Sequence, residues 1–136
     1  MSALPLSGIK ILDLTRVLAG PLSAQMLADL GAEVIKIERP GTGDDARAFG
    51  PPYLVDPEGK ENNNNSFYLC ANRGKKSVTV NIAKPEGQAI IRELAKSADV
   101  MLRYNFPGGG LTDEALRTLI LLVLDTGAEI RRALTG

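Results

Sequence analysis

Between Asp13 and Pro40 the chain reads DLTRVLAGPLSAQMLADLGAEVIKIERP, and this stretch constrains the fold more than any other. A near-continuous apolar run (Ile9, Ile11, Leu12, Leu14) leads into it, and a second (Val34, Ile35, Ile37) closes it on Glu38. Between the two, Pro21 suits the first turn of a helix, Ala24, Leu27, Ala28 and Leu30 recur at helical spacing, and Gly31 suits a C-terminal cap. Strands that are apolar along their whole length are the kind covered on both faces. Two of them separated by one helix run parallel. The expected fold class is therefore α/β, a parallel sheet flanked by helices.

The alternation continues through the first hundred residues. Strands are expected at Ile9–Leu14, Ala32–Ile37, Ser77–Ile82 and Ala98–Leu102, with helices at Pro21–Leu30 and Pro85–Ser97. The second helix opens on Pro85 and Glu86 and puts Ile90, Ile91, Leu94 and Ala95 on one face. Residues 40–65 carry turn residues without sustained periodicity and read as loop, with the Asn62–Asn65 run as its flexible surface part. Ser66–Cys70 reads as a short edge element, and Leu111–Leu119 and Ala128–Leu134 as short helices. The implied organisation is a sheet region over residues 1–107 and a short helical tail over 108–136.

Several functions are excluded by what the chain contains. With 136 residues it forms one core that hides roughly two-thirds of the unfolded surface. Sixteen basic and sixteen acidic residues balance, which argues against a nucleic-acid surface or a membrane-seeking patch. There is no histidine, so Ser–His–Asp and Cys–His nucleophile activation are impossible within the chain, and one cysteine supplies no zinc site. Cys70 lies among Phe67, Tyr68 and Leu69 with nothing to activate it, and reads as a buried thiol. A lone cysteine, no leading basic-then-apolar segment, and a longest apolar run of Leu119–Leu124 suit a soluble cytoplasmic protein.

The loop after the first strand tests the nucleotide question. Dinucleotide folds need glycines spaced G-x-G-x-x-G to admit a pyrophosphate close to the helix end. Arg16-Val17-Leu18-Ala19-Gly20-Pro21 keeps one glycine, although Glu38 stands where such folds place a ribose-binding acid. The helix start is left as a seat for some other anion.

Two longer stretches are more specific. PLSGIKILDLTRVLAGPLSAQMLADLGAEVIKIERPGTGDDAR resembles the N-terminus of the class III CoA-transferases, the family of formyl-CoA transferase, carnitine CoA-transferase and α-methylacyl-CoA racemase. FYLCANRGKKSVTVNIAKPEGQAIIRELAKSADVM resembles that family's next signature. The resemblance covers most of Leu4 to Leu102. It implies a Rossmann-like domain, coenzyme A as cosubstrate with no tightly bound cofactor, and an interlocked homodimer in the full-length enzyme.

It also implies where CoA lies. Val17, Leu18 and Ala19 match the loop at the pantetheine and thioester end, and Arg39 a basic residue near the adenine–ribose phosphate. Val80, Asn81, Ile82 and Ala83 match the strand end beside the adenosine, and Asn105 and Phe106 an Asn–aromatic pair after the fourth strand. Each has a plainer reading beside it: Val80 and Ile82 as core, Arg39 as a surface partner of Asp44 or Asp45. The Arg73, Lys75 and Lys76 cluster reads equally as phosphate attraction or as a solvated turn.

Departures from the family bear on the chemistry. Its catalytic aspartate, which attacks the acyl-CoA thioester to form a mixed anhydride, lies in a later segment, and no residue here matches that motif. The family's E-N-[FY]-x-P-G step is altered to RYNFPGG. Two readings follow: a CoA-transferase N-terminal part holding the CoA-binding half, or a non-catalytic Rossmann-like module for nucleotide binding or assembly. Because two chains interlock in the complete family, a chain without the central region is expected to pack its apolar run Ile120–Leu124 on the sheet or on a second chain, and a dimer or larger species is expected.

Overall fold

The computed structural model describes residues 3–103. Four strands, β1 (Lys10–Leu14), β2 (Glu33–Glu38), β5 (Lys75–Thr79) and β6 (Val100–Arg103), form one parallel sheet in the order β5-β2-β1-β6. Leu12 sits opposite Ile35 on one side and Met101 on the other. Helix α1 (Ala19–Asp29) joins β1 to β2, and α3 (Pro85–Lys96) joins β5 to β6. Expected and observed boundaries differ by a residue or two at most ends. Among the described residues no helix is long and apolar enough to cross a membrane.

Alternation along the strands gives the sheet two unlike faces. On one, Leu12, Ile37 and Val80 form a core cluster against Ile91, Leu94 and Ala95 of α3. The apolar side chains of α3 are therefore where their helical spacing puts them, except Ile90, which is half exposed rather than in the core. The neighbouring strand positions, Ile11, Asp13, Val34 and Lys36, are buried on the side where α1 buries Ala24 and Gln25. That face carries charge.

The segment read as loop is more ordered than its composition suggests. Asp45–Ala48 form a 3-10 turn, and β3 (Tyr53–Val55) pairs antiparallel with β4 (Glu61–Asn65), which takes up the asparagine run. Ser66–Cys70 is a helical turn, α2, not an edge element. Asn65 decides this: it is buried, its Oδ1 accepts the Tyr68 N–H at 2.7 Å as an N-cap, and its Nδ2 donates to the Ala46 carbonyl at 2.8 Å. Cys70 is exposed, contrary to expectation, because the last residue of so short a helix faces away from the core.

The start of α3 is placed by a close backbone approach. A Cβ on Gly87 would lie 2.0 Å from the carbonyl oxygen of Asn81, which belongs to the turn following β5. Neither backbone yields without moving the helix off the sheet. Gly87→Ala should therefore lower stability by roughly 1–3 kcal/mol, read from the midpoint of urea unfolding. A shift below about 0.5 kcal/mol would show that the turn gives way freely.

Candidate functional site

The loop after β1 is held in an unusual conformation by a buried ion pair. Lys36 interrupts the apolar β2 and is fully buried, its Nζ 2.7 Å from Asp44 Oδ2, with both side chains at 0% exposure. Lys36 also donates to the Thr15 carbonyl at 3.0 Å. Asp44 Oδ1 accepts from Val17 N at 3.0 Å and from Ala46 N at 2.9 Å. Burial alone would raise the Asp44 pKa, but Lys36 and the two backbone N–H groups outweigh it and hold the carboxyl below its ordinary value. Val17 itself stands at φ +70°, a left-handed conformation that is costly for a β-branched residue. Asp44 supplies the hydrogen bond that keeps it there.

Beside this pair, Glu38 is saturated. Its two oxygens accept from Arg47 Nε at 2.7 Å and Nη2 at 2.9 Å, Tyr68 Oη at 2.8 Å, Ser77 Oγ at 2.6 Å and the Asp44 N–H at 2.8 Å. Burial pushes this carboxyl up, and the donors from Arg47, Ser77, Tyr68 and Asp44 overcome it, lowering the pKa to about 2. Burial and the Glu38 charge together drive the Tyr68 phenol well above its ordinary value. The Arg47 guanidinium also lies 3.6 Å over the Tyr68 ring. Gly43 makes room for all this, at φ +67° with its absent Cβ within 2.6 Å of Glu38 Oε2. Glu38 has no capacity left for a ribose hydroxyl.

A second buried pair lies under the start of α1. Asp13 Oδ1 accepts from Thr15 N at 2.9 Å, and Oδ2 from Lys75 Nζ at 2.9 Å. Lys75 donates further to the Pro21 carbonyl at 2.7 Å and to Asn72 Oδ1 at 2.9 Å. Burial lowers the Lys75 pKa, and Asp13 offsets part of that. The basic cluster thus divides: Lys75 is structural, while Arg73 pairs with Asp29 and Lys76 with Glu33 at the surface.

These networks frame a cleft of about 210 Å³ at the C-terminal ends of β1 and β2 and beyond the end of β5. Leu14, Ile37, Val80 and Ile82 give it an apolar wall, and Arg16 and Arg39 a basic one. Of the residues singled out in the sequence, Arg39, Val80 and Ile82 meet here. Val80 is 5% exposed and Ile82 48%, so the first is core at the cleft floor and the second is open surface. Asn81 and Ala83 shape the turn, where Asn81 Oδ1 accepts the Ala83 N–H at 3.1 Å, without lining the cleft. Val17 and Leu18 follow Arg16 in the adjoining loop, with Leu18 at the N-cap of α1 and Ala19 its first residue. Asn105 and Phe106 lie outside the described residues. Arg39 does pair with Asp45, as its plainer reading allowed. Arg16, Lys36 and Asp44 were not singled out for the site. A lysine inside an apolar strand was the available signal, since it requires a buried partner.

Residues 6–119 match CoA-transferase family III, and the chain belongs to that family. It is 48% identical over 121 residues to a succinate–glutarate CoA-transferase of Agrobacterium fabrum, covering 89% of this chain and 30% of that protein. With the human succinyl-CoA:glutarate CoA-transferase it shares 56% identity over 104 residues, 76% of this chain and 22% of the other. Among solved structures, a CAIB/BAIF family protein from Brucella suis superposes with a TM-score of 0.69 at 37% identity, over 97% of this chain and 31% of that one. Rv3272 of Mycobacterium tuberculosis superposes with a TM-score of 0.65 at 42% identity, over 85% and 32%. The chain thus spans under a third of the length of these relatives.

Proposed function

We propose that this chain is the CoA-binding part of a class III CoA-transferase, acting on acyl-CoA and a carboxylic acid when complete, with residues 1–107 forming a Rossmann-like region. One observation carries the reading: Arg39, Val80 and Ile82, drawn from separate parts of the sequence, converge on one cleft at the C-terminal ends of parallel strands. Ligands of parallel sheets sit at that end. The strand order supports it too, since β5-β2-β1-β6 is 3-2-1-4 among the parallel strands, the first four of the doubly wound nucleotide-binding order 3-2-1-4-5-6. The saturated Glu38 and the single glycine of the Arg16–Pro21 loop disfavour a dinucleotide. The names of the relatives point to dicarboxylic acyl groups such as succinyl and glutaryl. Association as a homodimer in the cytoplasm accords with this reading.

Calorimetric titration of the chain with CoA and with NAD tests it. Saturable heat with CoA and none with NAD is expected; no response to CoA, or equal affinity for both, overturns it. The same preparation should show no thioester exchange above the no-protein control when incubated with acyl-CoA donors and carboxylate acceptors. Without a positioned nucleophile, the ~7–11 kcal/mol available from orienting reacting groups is forfeited. Turnover followed by mass spectrometry, and lost on replacing Asp13, Asp44 or Asp45, would place the chemistry within this chain.

A further inference from the structure

Two arginines from different segments converge on one carboxylate at the mouth of the cleft. Arg16, from the loop after β1, donates from Nη1 to Asp45 Oδ2 at 3.0 Å. Arg39, one residue past β2, donates from Nη2 to the other oxygen, Asp45 Oδ1, and from Nε toward the Gly43 carbonyl at 3.4 Å. All three side chains are about half exposed, at 51%, 47% and 40% for Arg16, Arg39 and Asp45. The remaining acids of the cleft are already matched: Glu38 by Arg47, and Asp44 by Lys36. Arg16 and Arg39 therefore carry one positive charge more than Asp45 removes, and an apolar wall of Val80 and Ile82 lies beside them.

Resting on the CoA reading above, we infer that Arg16 and Arg39 form a two-guanidinium seat for a phosphate of the ligand, and that Asp45 occupies this seat until the phosphate displaces it. The geometry of a carboxylate held by two guanidiniums is close to that of a phosphate held the same way. A terminal phosphate dianion, or the two singly charged phosphates of a pyrophosphate together, brings two charges to a seat that Asp45 fills with one. Exposure lets Asp45 leave at little cost, because surface ion pairs are individually weak. Asp45 thus sets the affinity, and Arg16 becomes a binding residue in its own right.

The test compares CoA affinity of the wild-type chain with that of three variants by calorimetry at fixed ionic strength. Asp45→Asn removes the internal competitor and should tighten CoA binding by about three- to tenfold. Arg16→Gln should weaken it by a similar factor. Asp29→Asn removes an equal charge from the exposed Arg73 pair, away from the cleft, and should leave affinity unchanged. Dephospho-CoA identifies the phosphate: loss of the Asp45→Asn gain points to the 3′-phosphate, and its retention to the pyrophosphate, either result upholding the seat. If Asp45→Asn binds CoA no tighter than wild type, or Asp29→Asn gains as much, the inference is wrong while the CoA reading stands. If no chain binds CoA, both fall together.

Discussion

Glu38→Gln should destabilise the chain by about 3–5 kcal/mol at neutral pH, among the largest effects of any single substitution here. The amide keeps the shape but loses the charge that offsets partly buried Arg47, and it turns a donor toward groups that are themselves donors: Arg47, Tyr68, Ser77 and the Asp44 N–H. The pH dependence distinguishes this from a packing defect. The Glu38 pKa falls from an ordinary 4.5 to about 2 on folding, so its stabilisation is fully present above 4.5 and lost as pH falls toward 2. Asp44, also lowered, acts in the same direction. Urea unfolding at pH 7 and near pH 3 should therefore show the gap between wild type and variant narrowing in acid. A gap of constant size would mean that the carboxylate charge contributes nothing.

Lys36→Met should cost a comparable amount, about 3–5 kcal/mol, since it leaves Asp44 charged and buried without its counter-ion. Asp44→Ala should cost at least as much, because it also removes the acceptor of the Val17 and Ala46 N–H groups. The two changes share one interaction, so the double variant should be little worse than Asp44→Ala alone. Thermal unfolding of the four chains measures this. Additive losses would show that the pair does not act as a unit. A separate reading of the Val17 loop comes from CoA titration: Asp44→Ala should weaken binding even where the chain remains folded, because the loop loses its anchor.

The sheet was legible because burial on both faces leaves a plain trace: Ile11–Leu12 and Val34–Ile35 could hardly be anything but interior strands. The helices were legible for a similar reason, with Pro85 and Gly31 marking a start and an end. What escaped was decided by side chains acting at a distance in sequence. The Asn62–Asn65 run has the composition of a solvated loop, yet Asn65 is buried by bonds to Ala46 and Tyr68, which no local pattern announces. Ser66–Cys70 has strand-like residues and becomes helical because Asn65 caps it. Of the site, Arg39, Val80 and Ile82 were found through resemblance, which reports positions. The network beneath them pairs Asp13 with Lys75 across 62 residues, a relation that only the folded chain reveals.

The unlike faces of the sheet also bear on how sequences of this kind can change over time. On the α3 side, Leu12, Ile37, Ile91 and Leu94 meet through apolar contacts, and substitutions there exchange volume in small steps that neighbours absorb. On the other side, Lys36 and Asp44, or Asp13 and Lys75, lose far more when one partner is replaced than when both are. Descent should therefore leave two different records in one domain: gradual drift at the apolar positions, and at the charged ones long stasis broken only by coordinated replacement of both members of a pair.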